Sequence, residues 1–157
     1  MSEYYAEINW SRDADEAFTD NKYSRGHTWT FDGGETVPAS ASHHIVPLPY
    51  SVESNVDPEE AFVASLSSCH MLFFLSIAAN RKFVVDSYTD NAVGIMSENE
   101  NKQLAMTKVT LRPKISFSGD NEPTIEQLEK MHHRAHELCF IANSVKTEVV
   151  TEIVPYS

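Results

Sequence analysis

The stretch Asp57-Pro58-Glu59-Glu60 opens a helix whose start is specified position by position, and the residues behind it limit what the chain can become. Asp57 suits an N-cap, Pro58 the first helical position, where its missing N–H costs nothing, and Glu60 the reciprocal side of a capping box. Over residues 58–80, Phe62, Leu66, Cys69, Phe73 and Ile77 recur at three- and four-residue steps, and beyond Cys69 the segment is apolar on nearly every side. Such a helix has to be enclosed, so the rest of the chain must supply cover for it. Ala61, Ala64, Ser65, Ser67 and Ser68 are small enough to let another helix or a ligand approach closely. The most apolar part, residues 71–79, is about half the length of a bilayer span of roughly 18 residues, which predicts a buried helix and no membrane partner.

The flanking sequence predicts strands. Residues 4–10 alternate, and so does His27-Thr-Trp-Thr-Phe31, with Asp32-Gly33-Gly34 supplying a turn. Residues 37–55 carry Pro47 and Pro49 and read as a loop or irregular edge segment. Period-two patterns return over residues 92–96 and 104–117, which read as a long hairpin. Thr124 and Gln127 form a second capping box, starting a helix with Ile125, Leu128, Met131, Ala135 and Leu138 on one face and Cys139 at its end. A short helical turn over residues 142–145 and a last strand over residues 147–156 complete an α+β pattern. No repeat, low-complexity tract or long linker divides residues 1–157, so one domain is expected.

Its 157 residues are 41% apolar, enough for a core that a second copy often completes in small enzymes. A net charge of −11 would repel phosphate backbones, which excludes nucleic acid as a favoured partner. The N-terminal MSEYYAEINW has neither basic flank nor apolar core, so no signal peptide is expected and the predicted location is cytoplasmic. In that reducing compartment two cysteines, Cys69 and Cys139, point to redox chemistry or to two inert core thiols rather than to a structural staple.

The wording DPEEAFVASLSSCHM, followed about seventy residues later by CFIANSVKTEV, resembles the OsmC/Ohr family of thiol-dependent hydroperoxide reductases. The resemblance spans residues 57–156 and, more loosely, the N-terminal strands. It implies an α+β fold in which β-sheets wrap long central helices of an intertwined homodimer. It also implies that Cys69 attacks an organic hydroperoxide as thiolate and becomes a sulfenic acid, which Cys139 resolves as a disulfide. A dithiol reductant such as a lipoylated protein would restore the thiols, and no metal or flavin cofactor would be required. By the same resemblance Glu59 matches a glutamate that steers an arginine toward the thiolate. Arg12 and Arg25 both qualify as that arginine, Arg25 being favoured by the HTWTF strand behind it. Glu59 and Cys69 are ten residues apart, about 15 Å along a helix, so a site completed by the partner subunit is expected. Phe140 stands where the family has a proline after its second cysteine. Met71, Leu72, Phe73 and Phe74 would favour bulky organic peroxides by burying their alkyl chains.

Plainer readings stand beside these. A cysteine on an apolar helix is ordinarily inert packing, and Glu59 in a first turn would complement the helix dipole alone. His132, His133 and His136 with Cys139 raise a zinc site, His132 and His136 sharing a face at one-turn spacing. His70 would tune the neighbouring thiol. From another functional class, a noncatalytic carrier of an apolar ligand at a dimer interface, or a thiol redox sensor, would use the same elements.

Overall fold

The computed structural model describes residues 1–154 and divides the chain into two compact units, residues 1–61 and 62–157. In the first unit, β1 (Ala6–Asn9), β2 (His27–Phe31) and β3 (Thr36–Ala39) form an antiparallel sheet in chain order. The Asp32-Gly33-Gly34 turn lies where the sequence places it: Gly34 has φ of 91°, which its missing Cβ permits, and its N–H bonds Phe31 O at 2.9 Å. β3 bears out the edge-segment alternative at the start of the proline-bearing stretch. It carries Pro38 opposite Thr28, and only an edge strand accommodates a residue that cannot donate to the ladder. The proline-bearing segment then returns to the sheet, Val56 bridging Ala39.

Helix α1 spans Pro58–Asn80 as expected, and its capping box is complete: Asp57 N–H bonds Glu60 Oε1 and Glu60 N–H bonds Asp57 Oδ1, both at 2.8 Å. The enclosed stripe is rotated one residue from the predicted one. Leu66, His70, Phe74 and Ala78 are buried, while Phe62, Cys69, Phe73 and Ile77 are half-buried. Counted over its full length rather than over residues 71–79, α1 is long and apolar enough to cross a bilayer by length and composition, because Ala and Ser in its first half add no charge. Its buried stripe is nevertheless packed into the clusters below, as in a core helix.

The second unit holds two further sheets. β4 (Val84–Asp90) pairs antiparallel with β7 (Pro113–Ser118), while β6 (Leu104–Leu111) pairs antiparallel with β5 (Val93–Glu98) and parallel with β8 (Glu148–Thr151). The single strand predicted over residues 104–117 is therefore two strands in different sheets. Arg112 breaks it: its N–H is taken by Asp90 Oδ1 at 2.6 Å instead of a ladder carbonyl, and Pro113 has no N–H to give. β4 escapes the sequence reading altogether, and the terminal strand ends at Thr151; its predicted end at Tyr156 lies outside the described residues. Helix α2 (Ile125–Leu138) begins with the predicted Thr124/Gln127 capping box and buries Leu128, Met131, His132 and Ala135, leaving Ile125 exposed. One cluster joins Phe74, Ala78 and Phe83 to Leu128, Met131 and Ala135. A second joins Leu66 to Val109 and Leu111. Together they lay α1 against α2 and against β6.

Candidate functional site

Cys69 and Cys139 meet where α1 lies against the end of α2. Cys69 is half-buried on α1, Cys139 is 1% exposed, and both are free thiols. Cys139 occupies the C-cap of α2 with extended dihedrals, its N–H reaching back to His136 O at 3.3 Å. A short 3-10 turn, Ala142–Ser144, follows at once and folds Ala142 N–H onto Cys139 Sγ at 3.4 Å. Burial pushes the Cys139 thiol above its ordinary range, against the Ala142 N–H, and a side-chain hydrogen bond with Cys69 adds to the rise. Phe140, with 71% exposure, meets Phe73 nearly edge to face at 5.0 Å between ring centroids. The arrangement brings a more accessible sulfur and a sheltered one together, as stepwise oxidation and disulfide closure require.

The other predicted residues lie in the first unit. Glu59 is half-buried in the first turn of α1, next to the capping pair. Both candidate arginines bond carbonyls of their own loop. Arg12 Nη1 donates to Asp13 O at 3.2 Å, Ala14 O at 3.4 Å and Glu16 O. Arg25 donates to Asn21 O at 3.1 Å, Tyr23 O and Asn21 Oδ1 at 2.9 Å, with its guanidinium 3.6 Å over the Tyr23 ring. Sequence reasoning missed what surrounds Arg25. Trp10, Phe18 and Tyr23 form an aromatic cluster, Phe18 and Tyr23 stacking at 4.6 Å, beside an apolar groove of about 440 Å³ that Ile8, Arg25 and His27 also line. Aromatic residues at uneven spacing in a loop leave no period to detect.

The histidine reading is corrected in the second unit. His132 does not team with His136; its ring is 3% exposed and its Nδ1 lies 3.0 Å from His70 Nε2. His133 turns outward to Glu137 at 3.3 Å, and Cys139 faces Cys69. Among the described residues no group of three or more His, Cys, Asp or Glu side chains is arranged to hold a metal ion.

An α+β protein with two free thiols facing each other across a helix pair defines the class. The OsmC-like protein family matches residues 52–154, and the chain belongs to it. It is similar to an OsmC-like protein of unknown function from Vibrio cholerae, with 66% identity, 98% of this chain and 100% of that chain covered, and a TM-score of 0.97. It shares the fold of two organic hydroperoxide resistance proteins. The one from Elizabethkingia anophelis is 16% identical, with 100% of this chain and 96% of that chain covered and a TM-score of 0.70. The one from Bacillus subtilis is 13% identical, with 98% of each chain covered and a TM-score of 0.63. No curated protein matches.

Proposed function

We propose that this protein is a thiol-dependent peroxidase that reduces organic hydroperoxides in cytoplasmic stress defence. The observation that carries the reading is the pairing of half-buried Cys69 with buried Cys139. Cys69 thiolate attacks the outer peroxide oxygen; the O–O bond breaks, the alkoxide takes a proton and leaves as the alcohol, and Cys69 becomes a sulfenic acid. Cys139 then attacks the Cys69 sulfur, forming the disulfide and releasing water. A dithiol reductant, such as a lipoylated protein, exchanges with that disulfide and returns both thiols. The positive charge that favours the Cys69 thiolate is assigned to Arg25, or to Arg12, with Glu59 steering the guanidinium.

The substrate class is supported by apolar surface. Organic hydroperoxides are the assigned class because an alkyl part gains from apolar burial where hydrogen peroxide gains nothing; the first unit carries apolar surface in the aromatic groove beside Arg25. The same groove favours a second reading, a carrier of an apolar ligand, in which the thiols are incidental. A homodimer belongs to the proposal: α1 presents Ala64, Ser68, Leu72 and Ser76 uncovered along one stripe, with Leu72 60% exposed.

The test is peroxide consumption by the reduced protein with dihydrolipoamide, comparing cumene hydroperoxide with hydrogen peroxide. Turnover should favour the organic peroxide and disappear in Cys69→Ser, whereas Cys139→Ser should keep the first turnover and lose the later ones. Ligand binding that survives Cys69→Ser, with no turnover by the wild type, would support the carrier instead.

A further inference from the structure

Two imidazoles lie in the interior of the second unit, where neither thiol chemistry nor metal binding accounts for them. His70 of α1 and His132 of α2 are 1% and 3% exposed, their rings nearly parallel at 8° and joined by a 3.0 Å contact between Nε2 and Nδ1. Phe74 stacks on His132 at 4.4 Å. Burial holds both rings well below the ordinary histidine range, to about 4 for His70 and about 3 for His132, so both are neutral near pH 7. The surrounding charges are few. His136 of α2 opposes protonation of His70 and Asp90 of β4 favours it, but Asp90 is already engaged by Arg112 N–H and Ser67 Oγ. Glu129, His132, His133 and His136 of α2 line a groove together with Val149, Thr151 and Ile153.

A neutral imidazole carries one N–H, so one ring of the pair donates across the contact and the other accepts. This leaves His70 Nδ1 and His132 Nε2, both buried and without a partner among the described residues. The contact is thus one directional bond between α1 and α2. That bond is placed beside the thiols. Cys69 and Phe73 on α1 meet Cys139 and Phe140, while His70 and Phe74, one step round the helix, meet His132, which lies about two turns before Cys139 on the same stripe of α2.

We propose that His70 and His132 are positioning residues that lock α1 against α2 so that Cys69 and Cys139 can close a disulfide; the catalytic meaning of this step rests on the peroxidase reading above. A disulfide tolerates a narrow range of Cα separation and torsion. Apolar packing such as that of the cluster around Phe74 and Met131 is non-directional and lets a helix roll or slide by fractions of an ångström, whereas an N–H···N bond resists both motions. The pair therefore governs closure of the disulfide and leaves the preceding oxidation of Cys69 alone.

The experiment separates the two steps. The double variant His70→Leu/His132→Leu keeps apolar volume and loses the bond, while His70→Gln/His132→Asn keeps a hydrogen-bonding atom at each contact position. Sulfenic acid formation and disulfide closure are followed after rapid mixing with one equivalent of cumene hydroperoxide. Closure in the leucine variant should slow about fivefold to tenfold, the rate equivalent of one net hydrogen bond, with sulfenic acid formation changed less than about twofold. The Gln/Asn variant should recover most of the closure rate. Unchanged closure in the leucine variant, equal slowing of both steps, or no recovery in Gln/Asn overturns the proposal. Diamide, which oxidises the thiols without a peroxide, keeps the failures apart: a wild type that ignores peroxide but closes with diamide sinks the peroxidase reading alone. Should the leucine variant not fold, nitrogen–nitrogen coupling across the His70–His132 bond in NMR spectra of the wild type is the deciding reading, and its absence overturns the pair itself.

Discussion

His70 and His132 make an acid-stability prediction with a definite sign. Both rings titrate below the ordinary value of 6.5, at about 4 and about 3, so between those values and 6.5 the unfolded chain binds more protons than the folded one. Stability is complete above about pH 6.5 and falls as the pH drops toward 4, with a slope approaching about 1.4 kcal/mol per pH unit for each imidazole that must gain a proton on unfolding. Urea midpoints measured across this window should decline, and His70→Leu/His132→Leu should decline less steeply than the wild type. Parallel curves would mean that the imidazoles are not the groups titrating. Neither partner was legible as such. Cys69 and Cys139 stood out as the only thiols, but a contact between residues 70 and 132 joins two helices and leaves no local pattern, and the stripe read through Cys69 and Phe73 passed one residue away from His70.

Among elements, helices were read well and sheets less so, for a physical reason. Capping boxes at Asp57/Glu60 and Thr124/Gln127 lie within four consecutive residues, so the starts of α1 and α2 are written locally. Strand pairing is not local. β4 found its partner β7 across more than twenty residues, and the change of sheet at Arg112-Pro113 depends on Asp90, which no period in the sequence marks. Gly94 in β5 shows how closely these elements approach. A Cβ there would stand 2.5 Å from both Val63 Cγ2 of α1 and Met106 Cε of β6. The methionine end can swing aside, but a β-branched valine on a helix has little rotamer freedom to yield. Gly94→Ala should therefore cost about 1–3 kcal/mol, the usual penalty for overpacking, read as a lower urea midpoint with an unchanged slope. A neutral or stabilising result would mean that α1 is not seated on β5 as described.

At the scale of the whole molecule, the fold class followed from a capped apolar helix and two cysteines in family order, and it holds; the assembly is an expectation. One chain leaves the Ala64, Ser68, Leu72 and Ser76 stripe of α1 uncovered, which a second copy would bury. Sedimentation should give a dimer, and Leu72→Arg should shift it toward monomer by placing a charge on that stripe. A wild-type monomer at micromolar concentration would remove the partner-completed site from the account. The proposed order of oxidation does not depend on the assembly: Cys69 is oxidised first and Cys139 resolves it. The most direct measurement is intact-mass and peptide analysis of the reduced protein after one equivalent of cumene hydroperoxide. The expected products are a Cys69–Cys139 disulfide in the wild type, a sulfenic acid on Cys69 in Cys139→Ser, and an unmodified Cys139 in Cys69→Ser. Oxidation of Cys139 in the absence of Cys69, or no disulfide in the wild type, would contradict it.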